Sequence, residues 1–211
     1  IAVQFFFLLS GFIFFKLFLI KINKKEINFY NFIILRVSRL YPLHFITLIF
    51  VLLMYLLLNS YNFYNPINAD LKHFVYNLFL IQEWGISLFP SFNEPSWSIS
   101  VELLMYLIFF YIASKRHVIL YSILTVVISS ILFFKFKFLG YGGYCFFVGG
   151  LSYVLLEKLK FSHKSLITLL GIVILLSLFI LIKFNISTIF IKIISLTIFF
   201  LLIINFLYLF N

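Results

Sequence analysis

The chain has 211 residues, of which 64% are hydrophobic, 22% are aromatic and only 10% are charged. This composition excludes a soluble globular domain, because such a domain could not bury so much apolar surface. The net charge of +10 would suggest nucleic acid as the partner of a soluble protein, but here the basic residues lie mostly in short connections between apolar runs. We therefore expect the lipid bilayer, and no nucleic acid, as a partner.

Seven apolar runs approach the roughly 20 residues that a transmembrane helix needs. Several of them are apolar on nearly every face, whereas the strands of a membrane barrel alternate polar and apolar residues. This pattern predicts an all-α fold, a polytopic transmembrane helix bundle that forms a single domain over residues 1–211. The predicted spans are residues 3–20, 33–58, 97–113, 118–134, 141–156, 166–183 and 186–210.

The connections between the predicted spans are short, except for residues 59–96, which contain an amphiphilic stretch from His73 to Gln82. We expect this stretch to lie in the membrane interface or to re-enter. Alternate connections differ in their Lys and Arg content, and the richer side is predicted to be cytoplasmic. That side receives Lys21, Lys24, Lys25, Lys115, Arg116, Lys158, Lys160 and Lys164.

Small residues interrupt two of the predicted spans. Ser10 and Gly11 lie within the aromatic-rich first span, and five of the eight glycines lie within residues 140–155. Both patterns predict close packing between helices. The single cysteine, Cys145, excludes an intrachain disulfide and is expected to be a buried apolar residue, and no His/Cys cluster offers a zinc site.

Two arginines lie at the beginning of the second predicted span. Arg36 and Arg39 are three residues apart and therefore share one helical face. Because planar guanidinium groups suit phosphates, this pair could bind the phosphates of a nucleotide-bearing donor such as coenzyme A. The alternative is a positive flank that sets the topology and contacts lipid phosphates. Farther along, His44 is interpreted as a structural group rather than a general base.

Glu102 is the most informative polar residue, because it follows the start of a run that is otherwise suited to hydrocarbon. An intramembrane carboxyl group is costly unless it is paired or faces water, so Glu102 is a catalytic candidate. Ser98 shares its helical face and Trp97 lies nearer the interface, so both are predicted to contact substrate. The alternatives are a structural ion pair for Glu102 and an interfacial belt position for Trp97.

Taken in order, four segments resemble the acyltransferase 3 family of bacterial membrane O-acyltransferases: FFFLLSGFIFF, RVSRLYP, PSWSISVELLMYL and FFVGGLSYVL. The resemblance implies a multi-pass enzyme of the bacterial inner membrane, with no permanently bound cofactor or metal. Such an enzyme moves an acyl group, usually acetyl from acetyl-coenzyme A, to a hydroxyl of a cell-envelope polysaccharide such as O-antigen or of its lipid-linked precursor. By the same resemblance, Arg36 and Arg39 bind the donor and Glu102 is the family's acidic residue.

The resemblance also implies a preceding helix with an arginine and a catalytic histidine, so the chain is expected to be a fragment that lacks this helix and further C-terminal helices and that is inactive by itself. The predicted topology places the arginines and Glu102 near opposite membrane faces, which would require a channel or a movement of the acyl group. One alternative function is a transporter or flippase for a lipid-linked glycan. Another is a structural subunit of a polysaccharide assembly complex.

Overall fold

The computed structural model describes residues 2–58, 70–86 and 92–159, together with residues 197, 198, 200, 203 and 208. Six α-helices account for most of these residues, and a short 3₁₀ turn, Glu94–Ser96, precedes the fourth. The all-α prediction is therefore confirmed for the part of the chain that is described. The helices are α1 Ala2–Asn23, α2 Phe29–Leu58, α3 Leu71–Leu78, α4 Trp97–Ala113, α5 Val118–Leu132 and α6 Lys137–Leu159.

The first five predicted spans each correspond to one helix. Helices α1, α2 and α6 are long and apolar enough to cross a membrane, whereas α4 and α5 are shorter apolar helices. Helix α2 begins earlier than predicted because Asn28 caps it, accepting a hydrogen bond from the Asn31 backbone N–H at 2.8 Å. The helix then continues through Pro42. The predicted spans 166–183 and 186–210 lie outside the described residues, apart from the isolated positions at the C-terminal end.

Helix α6 packs along α1, α5 and α4, while α2 packs against α4 and α3. The C-terminal ends of α1 and α6 lie beside the beginning of α5, where Leu19, Arg116 and Lys158 border one crevice. Lys24 borders an adjoining cavity. The structure therefore confirms that basic residues from three separate connections meet at one end of the bundle, as their distribution predicted. The assignment of this end to the cytoplasm stays a prediction.

Glycine residues allow α1 and α6 to pack closely against each other. A Cβ atom added at Gly11 would lie 1.8 Å from the carbonyl oxygen of Phe146, and one added at Gly149 would lie 2.1 Å from that of Leu8. Since no side chain fits at either position, the two backbones approach directly, which confirms the predicted close packing. Cys145 is fully buried in the same helix, as predicted.

Helix α3 is the structured part of the amphiphilic stretch and begins at Leu71, slightly before the predicted start. Asp70 caps it by accepting a hydrogen bond from the His73 backbone N–H at 2.8 Å. At about 12 Å, its eight residues are too short to cross a membrane. His44 of α2 contacts the Asn77 carbonyl oxygen at 2.8 Å through Nε2. This contact agrees with a structural role for His44, because it joins α2 to α3.

The turn after α3 is bound to the beginning of α4 by three consecutive residues. Gln82 Nε2 donates to Ser96 Oγ at 2.9 Å, and Trp84 Nε1 donates to the Ser100 carbonyl oxygen at 3.0 Å. The backbone N–H of Glu83 donates to Ser100 Oγ at 3.2 Å. The turn is therefore fixed on α4, which holds the Glu83 side chain half-buried near the end of the bundle opposite the basic residues.

Candidate active site

A cavity of about 370 Å³ lies between α1, α2 and α4. All three charged residues that were singled out from the sequence border it, namely Arg36, Arg39 and Glu102. Ser10 and Tyr106 add hydroxyl groups to the same cavity. The remaining walls are apolar and come from Phe6, Leu9, Ile13, Phe14, Leu17, Phe18 and Leu40. The predicted donor-binding residues and the predicted catalytic acid therefore belong to one site.

The prediction that the arginine pair, Arg36 and Arg39, lies near the opposite membrane face from Glu102 is wrong. Helices α2 and α4 are antiparallel neighbours: the rings of Phe29 and Phe110 meet at one end, with centroids 5.3 Å apart. Farther along, Asn93 donates to Thr47 at 2.9 Å just before α4 begins. The arginine pair and Glu102 lie between these two contacts. Because α2 begins before the predicted span, its arginines lie partway along the helix rather than at its end.

Glu102 is held by two hydroxyl groups from different helices. It is only 4% exposed, and its Oε1 accepts a short hydrogen bond from the Tyr106 hydroxyl and another from Ser10 Oγ at 3.4 Å. The Tyr106 ring stacks on Phe14 with centroids 4.2 Å apart. Buried carboxyl groups require such partners, and the stacking fixes the direction from which the Tyr106 hydroxyl donates.

Sequence reasoning missed Tyr106 and assigned Ser10 to packing alone. The signal for Tyr106 was present, because residues four apart share a helical face and Tyr106 follows Glu102 at that spacing. Ser10 gave no comparable signal, since its contact with Glu102 depends on how α1 packs against α4. The structure therefore corrects the role of Ser10 from a packing residue to a hydrogen-bond donor in the site.

Arg36 is surrounded by aromatic rings. Its guanidinium carbon lies 4.6 Å from the ring centroid of Phe18, 4.8 Å from that of Phe14 and 5.6 Å from that of Phe32. Cation–π attraction of this kind stabilises a guanidinium where water is scarce. The buried Nε has no hydrogen-bond partner among the described residues. Arg36 is therefore held in place by rings, with one guanidinium donor left unpaired among the described residues, and Arg39 is exposed at the same cavity.

Trp97 and Ser98 do not border this cavity. The Trp97 ring stacks on Phe138 of α6 with centroids 4.5 Å apart and also contacts Phe7 of α1, so it packs between helices at the start of α4. Ser98 is half-buried one turn before Glu102. Neither residue is therefore among those that line the cavity, and their contact with substrate stays a prediction.

The acyltransferase 3 family model, described as an acyltransferase domain, matches residues 1–211. Comparison with curated proteins and with solved structures gave no significant match. The family match confirms the resemblance that the four sequence segments indicated, and it covers the helices that line the cavity. Because the match extends over the whole chain and the described helices include three that are long and apolar enough to cross a bilayer, the chain belongs to the acyltransferase 3 family of membrane O-acyltransferases.

Proposed function

We propose that this protein transfers an acetyl group from acetyl-coenzyme A to a hydroxyl of a cell-surface polysaccharide or of its lipid-linked precursor. Family membership supplies the reaction class. The observation that supports the site is the convergence of Arg36, Arg39 and Glu102 on one cavity with apolar walls. Such a site combines groups for anion binding and for acid–base chemistry with apolar walls, and transfer from an acyl thioester can use all three.

The donor enters the cavity with its thioester end foremost. Because about 370 Å³ is too small for a whole coenzyme A, we assign the acyl group and the pantetheine arm to the cavity and the phosphates to its edge. Arg39, which is exposed there, binds the phosphates together with Arg36. Arginine suits this role because its planar fork of donors matches phosphate oxygens.

Acyl transfer requires the acceptor oxygen to attack the thioester carbonyl carbon. A C–O bond forms, the C–S bond breaks, and the hydroxyl proton passes through a base to the departing thiolate. Glu102 is the acid–base group in this proposal: it takes the proton directly, or it orients a histidine that does so, as the family resemblance implies. Tyr106 and Ser10 act as positioning residues, because their hydrogen bonds hold the Glu102 carboxyl group.

The gene is expressed in a host that lacks glycan O-acetylation, and acetyl groups on the purified polysaccharide are measured by mass spectrometry. Glu102→Gln is expected to lower acetylation by about 100-fold, the usual contribution of an acid–base group. Arg39→Ala, which removes a charged hydrogen-bond donor to the phosphates, is expected to lower it by about tenfold. Immunoblots of the membrane fraction correct for protein level. The matched control is Glu26→Gln, which removes an exposed carboxyl group far from the cavity and should retain acetylation. Unchanged acetylation in both site variants would overturn the site assignment.

A transporter for a lipid-linked glycan needs a membrane to act across, whereas a transferase does not. The purified full-length protein in detergent, supplied with acetyl-coenzyme A and a soluble glycan acceptor, should therefore release free coenzyme A thiol and form acetylated glycan. The family match supports this outcome. Glycan translocation in vesicles without any acyl transfer would instead favour the transporter.

A further inference from the structure

A second crevice, of about 590 Å³, lies between α1, α5 and α6 at the basic end of the bundle. We call it the basic crevice. It adjoins a smaller cavity of about 290 Å³, with which it shares Leu19 and Val118. No lining residue is common to the basic crevice and the cavity around Glu102. The basic crevice is therefore a separate feature that the proposed acyl transfer does not use.

Positive charge is concentrated along one edge of the basic crevice. Arg116 and Lys158 border it together with His117, and Lys24 borders the adjoining cavity. Arg116, Lys158 and Lys24 are exposed, and none of them forms a salt bridge with a carboxylate of the described residues. These cations come from three different connections, so the fold brings together charges that lie far apart in the sequence. Their combined field favours an anion.

The walls of the basic crevice are apolar. Leu120, Ile123 and Val154 continue from the charged rim along α5 and α6, and Leu120 and Ile123 keep about half of their surface exposed, at 54% and 46%. In a membrane protein this arrangement places cations at the level of lipid headgroups and apolar walls at the level of acyl chains. A soluble anion such as inorganic phosphate would leave the apolar walls unused.

We propose that the basic crevice binds an anionic phospholipid, whose phosphate lies between Arg116 and Lys158 and whose acyl chain lies along Leu120, Ile123 and Val154. Charge complementarity selects an anionic headgroup, and the apolar walls select a lipid rather than a soluble phosphate. The occupant would join the start of α5 to the ends of α1 and α6. It would therefore stabilise the bundle at a distance from the active-site cavity.

Native mass spectrometry of the purified protein in detergent measures the binding of added phosphatidylglycerol and, separately, of phosphatidylcholine. The test variant is Arg116→Gln/Lys158→Gln. The matched control is Lys21→Gln/Lys25→Gln, which removes the same charge from the same end of the bundle without touching the crevice. We expect the affinity for phosphatidylglycerol to fall by about tenfold in the test variant and to be retained in the control. Wild-type protein should prefer phosphatidylglycerol to phosphatidylcholine.

Val154→Trp tests the apolar part of the site, because it places a bulky ring on the wall that the acyl chain would contact and leaves every cation in place. It should lose bound phosphatidylglycerol while the thermal unfolding temperature of the lipid-free protein changes little. Equal losses in the test variant and the control would overturn the proposal in favour of general surface charge. Displacement of the lipid by inorganic phosphate or acetyl-coenzyme A would assign the crevice to a soluble anion. If the double variant does not fold, the headgroup preference of the wild type decides alone, and its absence refutes the proposal.

Discussion

Ser10 and Gly11 are neighbours in α1, yet one faces a cavity and the other a tightly packed helix interface. Gly11 faces α6, where the absence of a side chain lets two backbones touch. Ser10 faces the cavity, where the arginine pair and the surrounding phenylalanine rings leave space between helices. One helix can therefore pack tightly against its neighbour on one face and place a polar group in a cavity on the other. Close packing at α6 fixes α1, and a fixed α1 can position a hydroxyl beside Glu102.

The largest expected effect comes from a substitution on the face of α1 that packs against α6. Gly11→Leu would force a side chain into the carbonyl of Phe146, so it should destabilise the bundle by at least about 3 kcal/mol and greatly reduce the folded protein in membranes. Fluorescence-detected size-exclusion chromatography in detergent measures the folded fraction. Ser10→Ala is the matched control on the face of α1 that borders the cavity, and it should retain a normal elution profile. A monodisperse Gly11→Leu protein would contradict the proposed packing role.

On the face of α1 and α4 that borders the cavity, a smaller effect is expected from Tyr106→Phe. This change keeps the ring that stacks on Phe14 but removes the hydroxyl that donates to Glu102. A hydrogen bond to a carboxylate contributes about 2 kcal/mol, so we expect kcat to fall by about 30-fold with little change in KM for the donor. Steady-state release of coenzyme A thiol measures both constants. An unchanged kcat would show that Tyr106 is only a packing residue.

A smaller effect is expected from Arg36→Lys, which keeps the charge but removes the planar group that lies among Phe14, Phe18 and Phe32. Loss of the cation–π contacts and of the planar fork should raise KM for acetyl-coenzyme A by about fivefold and leave kcat nearly unchanged. Arg39→Lys should change KM less, because Arg39 is exposed. A larger effect on KM at Arg39 than at Arg36 would show that the aromatic rings around Arg36 do not strengthen its binding of the donor.

The smallest effect concerns Glu83, outside the spanning helices. Burial raises its pKa to about 7 from an ordinary value of about 4.3. Between these two pH values the unfolded chain ionises at this position while the folded protein does not, so Glu83 destabilises the fold increasingly as pH rises and by a constant amount above pH 7. Glu83→Gln should therefore stabilise the protein above pH 7 by about 1 kcal/mol, after allowance for partial exposure, and have no effect near pH 4.

Thermal unfolding of the detergent-solubilised protein from pH 4 to pH 8 measures this difference. Asp70→Asn gives the opposite sign, because hydrogen bonds from His73 hold the pKa of Asp70 below its ordinary value. Its cost should be present at neutral pH and disappear as the solution becomes acidic enough to protonate Asp70. A stabilisation by Glu83→Gln that does not vary with pH would show that packing, not ionisation, is responsible.

The sequence was enough to predict five helices, the arginine pair as one face of α2 and close helix packing at the glycines of α1 and α6, although not that these two helices pack against each other. The helices and the arginine face depend on residues that are near in sequence. The close packing depends on glycine, which lets a helix approach any neighbour closely because it has no side chain. The start of α2 was predicted too late because the capping role of Asn28 was overlooked. As a result, the arginine pair was predicted to lie at the end of the helix, whereas it lies partway along α2.

The amino-acid sequence by itself determined that this protein is a bundle of apolar helices with basic residues at one end, because the cost of placing a side chain in hydrocarbon depends mainly on that side chain's own polarity and charge. It also determined the family, through the order of its motifs. Only the tertiary structure decided that Arg36, Arg39 and Glu102 share one cavity, that Ser10 contacts Glu102, and that Trp97 lies elsewhere. Those relations depend on how separate helices rotate and align, which is set by packing between distant segments rather than by any local pattern.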